Sequence, residues 1–408
     1  MLDYDVIVIG GGASGLMASY SAGLCGAKVL LLEKNDKLGR KIYITGKGRC
    51  NVTNNSPVSE HIENTVHGAN FMRSALSQFN CEDLMSLLTN SGLMLKTERG
   101  NRVFPVSDKA SDVTKTLEKL IDSVGIDVKL SSEVKSVKKV DDYFIVSTAN
   151  NKYTTDCVVI ATGGNTYSST GSTGDGYKFA QTFNQKVTPI KPALVPIILK
   201  DDVKELEGLS LKNVALMYDK IILQGEMLFT NNGISGPIAL TMSSLICQQD
   251  IVNHEISIDF KPALTTQKLL DKFNREFVSS EFNKKSIKNY LKSLLPARFV
   301  EHFVGRITFG EQMACQTNKE ERQILANLLK HFEFIIRSLD KLEYGIITSG
   351  GVDLNEIKPK TMESKLVDNL FYCGEVLDVD ALTGGFNLQI AFSTGYVAGQ
   401  NAGQRRKL

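Results

Sequence analysis

A glycine-rich segment near the start of the chain restricts its fold more than any other feature of the 408 residues. The apolar run Asp5–Ile9 leads into GGGASG, in which Gly10, Gly12 and Gly15 have the spacing G-x-G-x-x-G. An apolar run without alternation is typical of a buried parallel strand. In such a motif the first glycine permits a tight turn, and the second lets a pyrophosphate approach the backbone. The third glycine allows close packing of helix and strand.

The following residues complete a dinucleotide-binding pattern. Ser14–Gly26 is predicted to be a helix whose first amides face phosphates, and Val29–Leu32 is predicted to be a second buried strand. That strand ends at Glu33, where a carboxylate can accept hydrogen bonds from a ribose and repel a 2′-phosphate. This order predicts an adenine dinucleotide but does not separate NAD from FAD. The predicted contacts are Gly10, Gly12, Ala13, Ser14, Gly15, Glu33 and Lys34.

A second glycine-rich segment, near the C-terminus, favours FAD. Leu370–Cys373 is predicted to be a short strand, and a helix is predicted to follow Gly384 and to run to about Gly399. The ribityl chain of FAD needs a polar partner, which suits Glu375. Its isoalloxazine ring is stabilised in the reduced state by a positive helix N-terminus. The predicted contacts here are Gly374, Glu375, Gly385, Phe386, Asn387 and Leu388, the last three through their amides.

A third segment is predicted to pass close to the cofactor. Val158–Gly164 is an apolar run that ends in glycines, so Ala161, Thr162 and Gly163 are predicted contacts. Three short runs before it have the alternation of an antiparallel excursion, with turn residues between them. They are Val134–Val140, Tyr143–Thr148 and Lys152–Thr155. Val134, the first of these residues, is predicted to meet the adenine with its backbone.

These features together resemble the flavoproteins of the two-dinucleotide-binding-motif superfamily. More closely, the sequence resembles the BaiN/YhiN-type family, which includes proteins described as bile-acid-intermediate reductases and as aminoacetone oxidases. Besides GGGASG with Glu33, the resemblance rests on LGRKIYITGKGRCNVTN (38–54), RVFPVSDKASDV (102–113), LFTNNGISGP (228–237), TSGGVDLNEI (348–357) and the GEVLD…GGFNLQ terminus. One departure is Asn231-Asn232, where a histidine often sits in the family. The resemblance implies noncovalent FAD.

The resemblance also implies an α/β architecture: a split Rossmann-like FAD-binding domain with an inserted β-rich domain and a small helical subdomain. The expected boundaries are 1–190 and 346–408 for the FAD-binding domain, 191–262 and 331–345 for the β-rich domain, and 263–330 for the helical subdomain. Composition agrees, since Pro189, Pro192 and Pro196 punctuate a boundary. Val195–Phe229 is rich in β-branched residues, Thr265–Lys330 favours helix, and Glu343–Thr348 is predicted to return to strand.

The segment Gly46–Asn54 carries further candidate contacts. Through the resemblance, Arg40, Lys41 and Arg49 are expected near the diphosphate or flavin, and Asn51 near the ring; the alternative is a surface loop with solvated cations. Cys50 is single, which argues against a dithiol mechanism. It is either a thiolate beside the flavin or, as we favour, a packed structural cysteine.

Other motifs leave alternatives open. In Arg102–Pro105 the arginine either faces the flavin or forms an ion pair on a loop before a helix at Asp112–Val124. Thr173–Gly176 is expected to cap a helix, with Asp175 contacting substrate as the alternative. The sequence GISGP, Gly233–Pro237, is read as a turn before a helix or as a substrate-side loop. We assign no catalytic acid or base, because no histidine has an evident carboxylate partner in the sequence.

Composition excludes several classes of protein. The net charge of +2 argues against a broad nucleic-acid surface, and no segment reaches the roughly 18 apolar residues of a membrane span. The seven cysteines are scattered without a CxxC pair and the five histidines form no cluster, so no metal site is expected. These features, with no signal peptide apparent, predict a cytoplasmic protein.

The expected function is FAD-dependent oxidoreduction by hydride transfer at flavin N5. In the first hypothesis, NADH or NADPH reduces the flavin, which reduces an activated C=C bond of a small molecule. In the second, the flavin oxidises a small amine resembling aminoacetone, and oxygen reoxidises it to give hydrogen peroxide. The third is a non-catalytic flavin-binding protein or an RNA-modifying flavoprotein. The oligomeric state is not predicted.

Overall fold

A computed structural model describes residues 2–405 of the chain. The strands are β1 (Tyr4–Ile9), β2 (Val29–Leu32), β3 (Thr53–Asn54), β4 (Thr65–His67), β5 (Leu95–Glu98), β6 (Arg102–Pro105), β7 (Asp127–Lys129), β8 (Val134–Val140), β9 (Tyr143–Thr148), β10 (Lys152–Ile160), β11 (Lys191–Ala193), β12 (Ile197–Leu199), β13 (Ser210–Tyr218), β14 (Ile221–Thr230), β15 (Gly233–Ser235), β16 (Glu255–Asp259), β17 (Phe332–Leu339), β18 (Ile347–Ser349), β19 (Leu370–Tyr372) and β20 (Asp380–Ala381). The helices are α1 (Ala13–Leu24), α2 (Arg40–Ile44), α3 (Val58–Glu63), α4 (Ala69–Gln78), α5 (Cys81–Asn90), α6 (Ala110–Ser123), α7 (Asp175–Thr182), α8 (Pro237–Ile246), α9 (Thr266–Glu276), α10 (Ile287–Leu291), α11 (Ala297–Val304), α12 (Lys319–Lys330) and α13 (Phe386–Gln404). Short 3₁₀ helices lie at Thr45–Gly48, Ser168–Thr170, Lys204–Leu206, Ala314–Gln316, Leu342–Tyr344, Leu354–Glu356 and Gly374–Val376.

The chain divides into two compact units. The first contains the residues up to Ala193 together with those from Lys341 onward, and the second runs from Leu194 to Asp340. Each unit has its own cluster of buried apolar side chains. Among the described residues, no helix has the length and apolar character that a membrane crossing needs.

A seven-stranded sheet organises the first unit, in the order β7-β2-β1-β10-β9-β8 with β19 also paired to β10. Strands β7, β2, β1, β10 and β19 pair in parallel, and β8 and β9 form the antiparallel excursion. The last four residues of β1 and all of β2 are buried, as continuous apolar runs in a parallel sheet require. The predicted Rossmann-like fold is confirmed.

Helices α1 and α13 pack against each other through small residues. A side chain at Gly395 would clash with the carbonyl oxygen of Ser14, and one at Gly399 with that of Ala18. The contacts advance by four residues on both helices, so the two helices run parallel and in close backbone contact. This packing brings the two glycine-rich ends of the sequence together.

The second unit contains a closed six-stranded barrel in the order β12-β15-β14-β13-β16-β17. Helices α9 to α12 lie between β16 and β17 in the chain, as the composition of that segment predicts. Aromatic side chains fill this core, with the rings of Phe260 and Phe299 4.7 Å apart and those of Phe299 and Phe332 5.1 Å apart.

Four local expectations differ in part from the structure. Lys152–Thr155 pairs antiparallel with β9 as expected, but it continues into Val158–Ile160 as one strand, β10, whose second half pairs with β19. Arg102–Pro105 is strand β6 rather than a loop, because it pairs with β5 and β3. Gly233–Ser235 is a barrel strand rather than a turn, although Pro237 begins α8 as expected. The strand expected over Glu343–Thr348 begins only at Ile347, because Leu342–Tyr344 is a 3₁₀ helix. In each case pairing or local turn formation overrides the local sequence pattern.

Candidate cofactor site

The first glycine motif is shaped by close backbone contacts on one side and open space on the other. A side chain at Gly10, whose φ is +105°, would lie 2.5 Å from the carbonyl oxygen of Ala161. A side chain at Gly15 would clash with the carbonyl oxygen of Gly10. No atom lies within 4 Å of the corresponding position at Gly12. The motif therefore presents open space at Gly12, beside the N-terminus of α1.

Glu33 is held in position by backbone and side-chain donors. The residue is 7% exposed. One carboxylate oxygen accepts a hydrogen bond from the Gly11 amide at 2.7 Å. The other accepts from the Asn35 amide at 2.8 Å and from the Asn35 side chain at 2.6 Å. Because a carboxylate has about four acceptor positions, one remains for a ribose hydroxyl.

Two predicted contacts that follow this acid in the chain, Lys34 and Arg40, are bonded to other polar groups. Lys34 forms an ion pair with Asp175 at 2.7 Å, and Arg40 donates to the side chain of Asn35 at 3.0 Å. Asp175 begins α7, but no side chain caps this helix, so the expected cap is absent. Val134 lies with Asp175 on the wall of a cavity of about 720 Å³. Lys34, Arg40 and Val134 therefore lie in the neighbourhood of Glu33.

The parallel packing of α1 and α13 sets the distance between their N-termini. Gly395 lies opposite Ser14, so α13 begins roughly 12 Å before the level of the first residue of α1 at 1.5 Å per residue. Both N-termini direct unpaired amides and a positive dipole end outward. One cofactor whose pyrophosphate and ring are separated by a linker can contact both.

The side chain of Asn387 points to the loop before α13 rather than outward. Its oxygen accepts from the Ala381 amide at 2.9 Å, and its nitrogen donates to the Ala381 carbonyl at 2.7 Å. Gly385, the N-cap residue, has φ +104° and packs against the Thr53 backbone. At this helix end the side chain of Asn387 is therefore engaged within the protein, and its amide, like those of Phe386 and Leu388, is what the helix N-terminus can offer a ligand.

Glu375, in the second glycine-rich segment, forms an ion pair with Lys41 of α2. Lys41 donates to Glu375 at 2.7 Å and to the hydroxyl of Thr166 at 3.0 Å. Glu375 also accepts from the Thr348 amide at 2.8 Å. Gly374, with φ +76°, lies against the side chain of Ser14. Arg40 and Lys41 are adjacent in sequence but contact different segments. Arg40 binds Asn35 beside Glu33, whereas Lys41 binds Glu375.

Two predicted contacts carry buried oxygen atoms without a hydrogen-bond partner. They are Oδ1 of Asn51 and Oγ1 of Thr162. An unsatisfied buried polar atom costs about 1–3 kcal/mol, so such atoms need a partner. Their position in the predicted cofactor segments, with the open space at Gly12, is the arrangement that a bound dinucleotide would complete. The residues present fit FAD.

Arg49 and Cys50 are occupied by protein contacts. The Arg49 guanidinium lies between Glu98 and Asp108 and stacks 4.1 Å from the ring centroid of Phe104. The cofactor contact proposed for this guanidinium stays a prediction. Cys50 is fully buried, and burial raises the pKa of its thiol to about 12. This burial favours the interpretation of Cys50 as a packed structural cysteine over that of a thiolate.

Arg102 forms no ion pair among the described residues, and its contact with the flavin stays a prediction. Its side chain is exposed and donates to the carbonyl oxygen of Arg99 at 3.0 Å. The described residues contain no cluster of three or more His, Cys, Asp or Glu side chains that could hold a metal ion.

Sequence reasoning missed a histidine and carboxylate that the fold brings together. His67 on β4 pairs with Asp380 on β20, and the two side chains lie 2.5 Å apart. Asn35, which joins Glu33 to Arg40, was also missed. His67 and Asp380 are 313 positions apart in the chain, so no local pattern could have joined them.

Comparison with known proteins places this geometry in a family. The model of the HI0933-like protein Rossmann domain matches residues 4–401. A ribosomal RNA dihydrouridine synthase of Escherichia coli is 31% identical over 405 residues, 98% of each chain. A 3-dehydro-bile acid delta(4,6)-reductase of Clostridium scindens is 29% identical over 410 residues, again 98% of each chain. The family resemblance of the sequence is confirmed.

Solved structures share the fold at low sequence identity. A 3-ketosteroid-delta4-(5alpha)-dehydrogenase of Rhodococcus jostii is 14% identical with a TM-score of 0.52, covering 99% of this chain and 98% of that one. An E. coli quinol fumarate reductase subunit is 16% identical with a TM-score of 0.51, covering 98% of this chain and 70% of the other.

Proposed function

Since the chain belongs to the HI0933-like family and is an FAD-dependent oxidoreductase, we propose that it reduces a C=C bond conjugated to a carbonyl. NADH or NADPH is the proposed electron donor. One observation carries the proposal: two full-length relatives with different substrates are both named for saturating such a bond. A 3-oxo-Δ4 steroid nucleus and a uracil base each contain a C=C bond next to a carbonyl group.

The chain's own residues supply binding and orientation. The amides at Gly12 and the N-terminus of α1 are proposed to bind the pyrophosphate, with Glu33 on the ribose. Asn51 and Thr162 gain partners for their buried oxygens. When bound, FAD supplies the two-electron chemistry, because its ring exchanges a hydride with carbon or nicotinamide.

The N-terminus of α13 is proposed to stabilise negative charge at the pyrimidine edge of the ring. Asn387 holds Ala381 through two hydrogen bonds, which tie the first turn of the helix to the preceding loop. Phe386 packs edge-on against His61, with ring centroids 5.1 Å apart. A rigid, preorganised dipole stabilises the charge of the transition state more than a mobile one does, since it needs no reorganisation during the reaction.

Uridine in ribosomal RNA is the second candidate substrate. Two relatives that match 96% or more of this chain are ribosomal RNA dihydrouridine synthases, from E. coli and Haemophilus influenzae. The near-neutral net charge conceals an uneven distribution. Residues 261–298 contain nine Lys and Arg and three Asp and Glu, whereas the whole chain has 47 and 45. A locally basic segment is what binding to phosphates requires.

Anaerobic absorbance spectroscopy of the holoprotein tests the proposed function. NADH or NADPH is expected to bleach the flavin. Addition of 4-androstene-3,17-dione, or of an unmodified ribosomal RNA transcript, is expected to restore the flavin absorbance. A saturated steroid ketone, which lacks the C=C bond, is the matched control and is expected to leave the flavin reduced.

The response to each acceptor separates the candidate functions. Reoxidation by the steroid supports a small-molecule reductase, and reoxidation by the transcript with formation of dihydrouridine supports the RNA substrate. Reduction of the flavin by aminoacetone, followed by peroxide formation with oxygen, would contradict the reductase proposal and identify an amine oxidase.

A further inference from the structure

The paired strands β4 and β20 place His67 opposite Asp380, immediately before the loop that leads to α13. The neighbouring residues are anchored on both sides. Ala381 is held by the side chain of Asn387, and the Leu382 amide donates to the Asn64 carbonyl at 2.9 Å. The pair therefore lies beside the helix end where the flavin ring is proposed to bind.

The geometry of the pair is that of an oriented imidazole. His67 Nδ1 lies 2.5 Å from Asp380 Oδ1, and the Ser349 hydroxyl lies 3.3 Å from both atoms. Asp380 is 1% exposed, whereas the His67 side chain is 30% exposed. The buried carboxylate thus fixes Nδ1. Among the hydrogen bonds that the described residues form, none involves Nε2 of His67.

The second carboxylate oxygen of Asp380 is not used by the contact with His67. Oδ2 of Asp380 is buried and has no hydrogen-bond partner in the described structure. A carboxylate that only joined two strands would lose stability through such an atom. A catalytic role is one explanation for a buried polar atom that has no partner.

Acidic groups surround the imidazole. The hydrogen bond to Asp380 raises the pKa of His67, partial burial opposes it, and the negative charges of Asp380 and Asp378 add to the increase. Burial raises the pKa of Asp380, and the charge of Glu375 adds to this, although His67 and Ser349 act in the opposite direction. Burial also raises the pKa of Asp378. The hydrogen bond and these negative charges therefore favour the protonated form of His67.

We propose that His67 is the general acid of the reduction and that Asp380 is its positioning residue. The assignment rests on the proposed function. As the C=C π bond breaks, the β-carbon receives a hydride and the α-carbon receives the proton of His67 Nε2. Before the proton transfer, Asp380 stabilises the imidazolium. After it, Asp380 stabilises the neutral tautomer that keeps its proton on Nδ1, and solvent returns a proton to Nε2. The NAD(P)H-derived hydride and this proton complete the saturated bond.

Stopped-flow measurement of the two half-reactions separates proton delivery from flavin reduction. In His67→Gln, reduction by NADPH is expected to stay within twofold of wild type. Reoxidation by 4-androstene-3,17-dione, or by the transcript, is expected to slow about 100-fold, the lower range of general-acid contributions. His254→Gln, which removes a histidine bonded to Tyr218 in the barrel unit, is the matched control.

The pH profile and NMR add readouts that a structural role would not change. The proton donor is lost as pH rises through the raised pKa of His67, so wild-type reoxidation is expected to fall on the alkaline side. Asp380→Asn is expected to move this fall to lower pH. The same shift is expected in the imidazole ¹H–¹⁵N resonances of the oxidised protein, measured without substrate.

The outcomes distinguish failure of this assignment from failure of the proposed function. If wild type is reoxidised and His67→Gln is reoxidised within threefold of that rate, His67 is not the acid. An unchanged His67 titration in Asp380→Asn would likewise overturn the positioning role. If neither acceptor reoxidises wild type, the proposed function itself is wrong and the assignment of His67 falls with it.

Discussion

At the scale of single residues, Glu33 connects the glycine motif to the ribose site. Its carboxylate accepts three hydrogen bonds, from the Gly11 amide and from the amide and side chain of Asn35. The carboxylate that orders this loop keeps one acceptor position for a hydrogen bond from a ribose hydroxyl. Loss of the charge therefore acts on the loop and on the cofactor together.

Glu33→Gln is expected to weaken FAD binding about 10- to 100-fold. The amide nitrogen of glutamine would face donors where the carboxylate now accepts, and hydrogen bonds to charged groups are worth about 1.5–3 kcal/mol. Titration of the apoprotein with FAD, followed by flavin fluorescence, measures the effect. Glu301→Gln, which removes an exposed carboxylate paired with Lys288, is the control. Unchanged affinity in Glu33→Gln would contradict the ribose assignment.

At the scale of elements, the contact between α1 and α13 determines the spacing of the two binding ends. The helices approach closely because Gly395 and Gly399 leave room for the backbone of α1. The obstruction at both positions is a carbonyl oxygen, which cannot move aside as a flexible side chain can. An added methyl group must therefore displace one helix.

Gly395→Ala is expected to reduce the free energy of unfolding by about 1–3 kcal/mol, the usual cost of overpacking. That corresponds to a decrease in Tm of several degrees. Thermal unfolding of the apoprotein and of the FAD-loaded protein measures it. Gly305→Ala is the control, since its nearest neighbour would lie 3.4 Å from the new atom. A Tm for Gly395→Ala equal to that of the control would show that the helices separate readily.

At the scale of the whole molecule, every predicted cofactor contact belongs to the first unit, although these contacts span Gly10 to Leu388 in the chain. The second unit has a separate core, which includes Phe299 and Phe334. Stabilisation by a bound ligand acts first on the elements that contact it.

Hydrogen exchange is expected to report this division. Addition of FAD to the apoprotein should slow amide exchange in the first turns of α1 and α13 and at Glu33. The barrel strands β13 and β14 are expected to exchange at the same rate with and without FAD, and they serve as the internal control. Protection by FAD confined to the barrel would contradict the assignment of the site to the first unit.

Much of the fold could be predicted from short stretches of sequence. The bounds of β2, β8 and β9 agree with their predicted ranges, and β1 and α1 differ only at their ends. The reason is physical: an unbroken apolar run, a glycine spacing and a polar turn are local properties that each act over a few residues. The C-terminal helix α13 extends to Gln404, beyond the predicted Gly399, because Gly399 packs against α1 instead of ending the helix.

Contacts between distant residues were decided by the tertiary structure. The sequence by itself determined the Rossmann-like core, the family and the choice of FAD, because these depend on motifs with fixed spacing. It could not show that Arg49 turns toward Glu98, that Asn387 holds its own loop, or that His67 meets Asp380. A side chain's direction depends on which strands and helices pack beside it, and in this protein those partners lie up to hundreds of residues away.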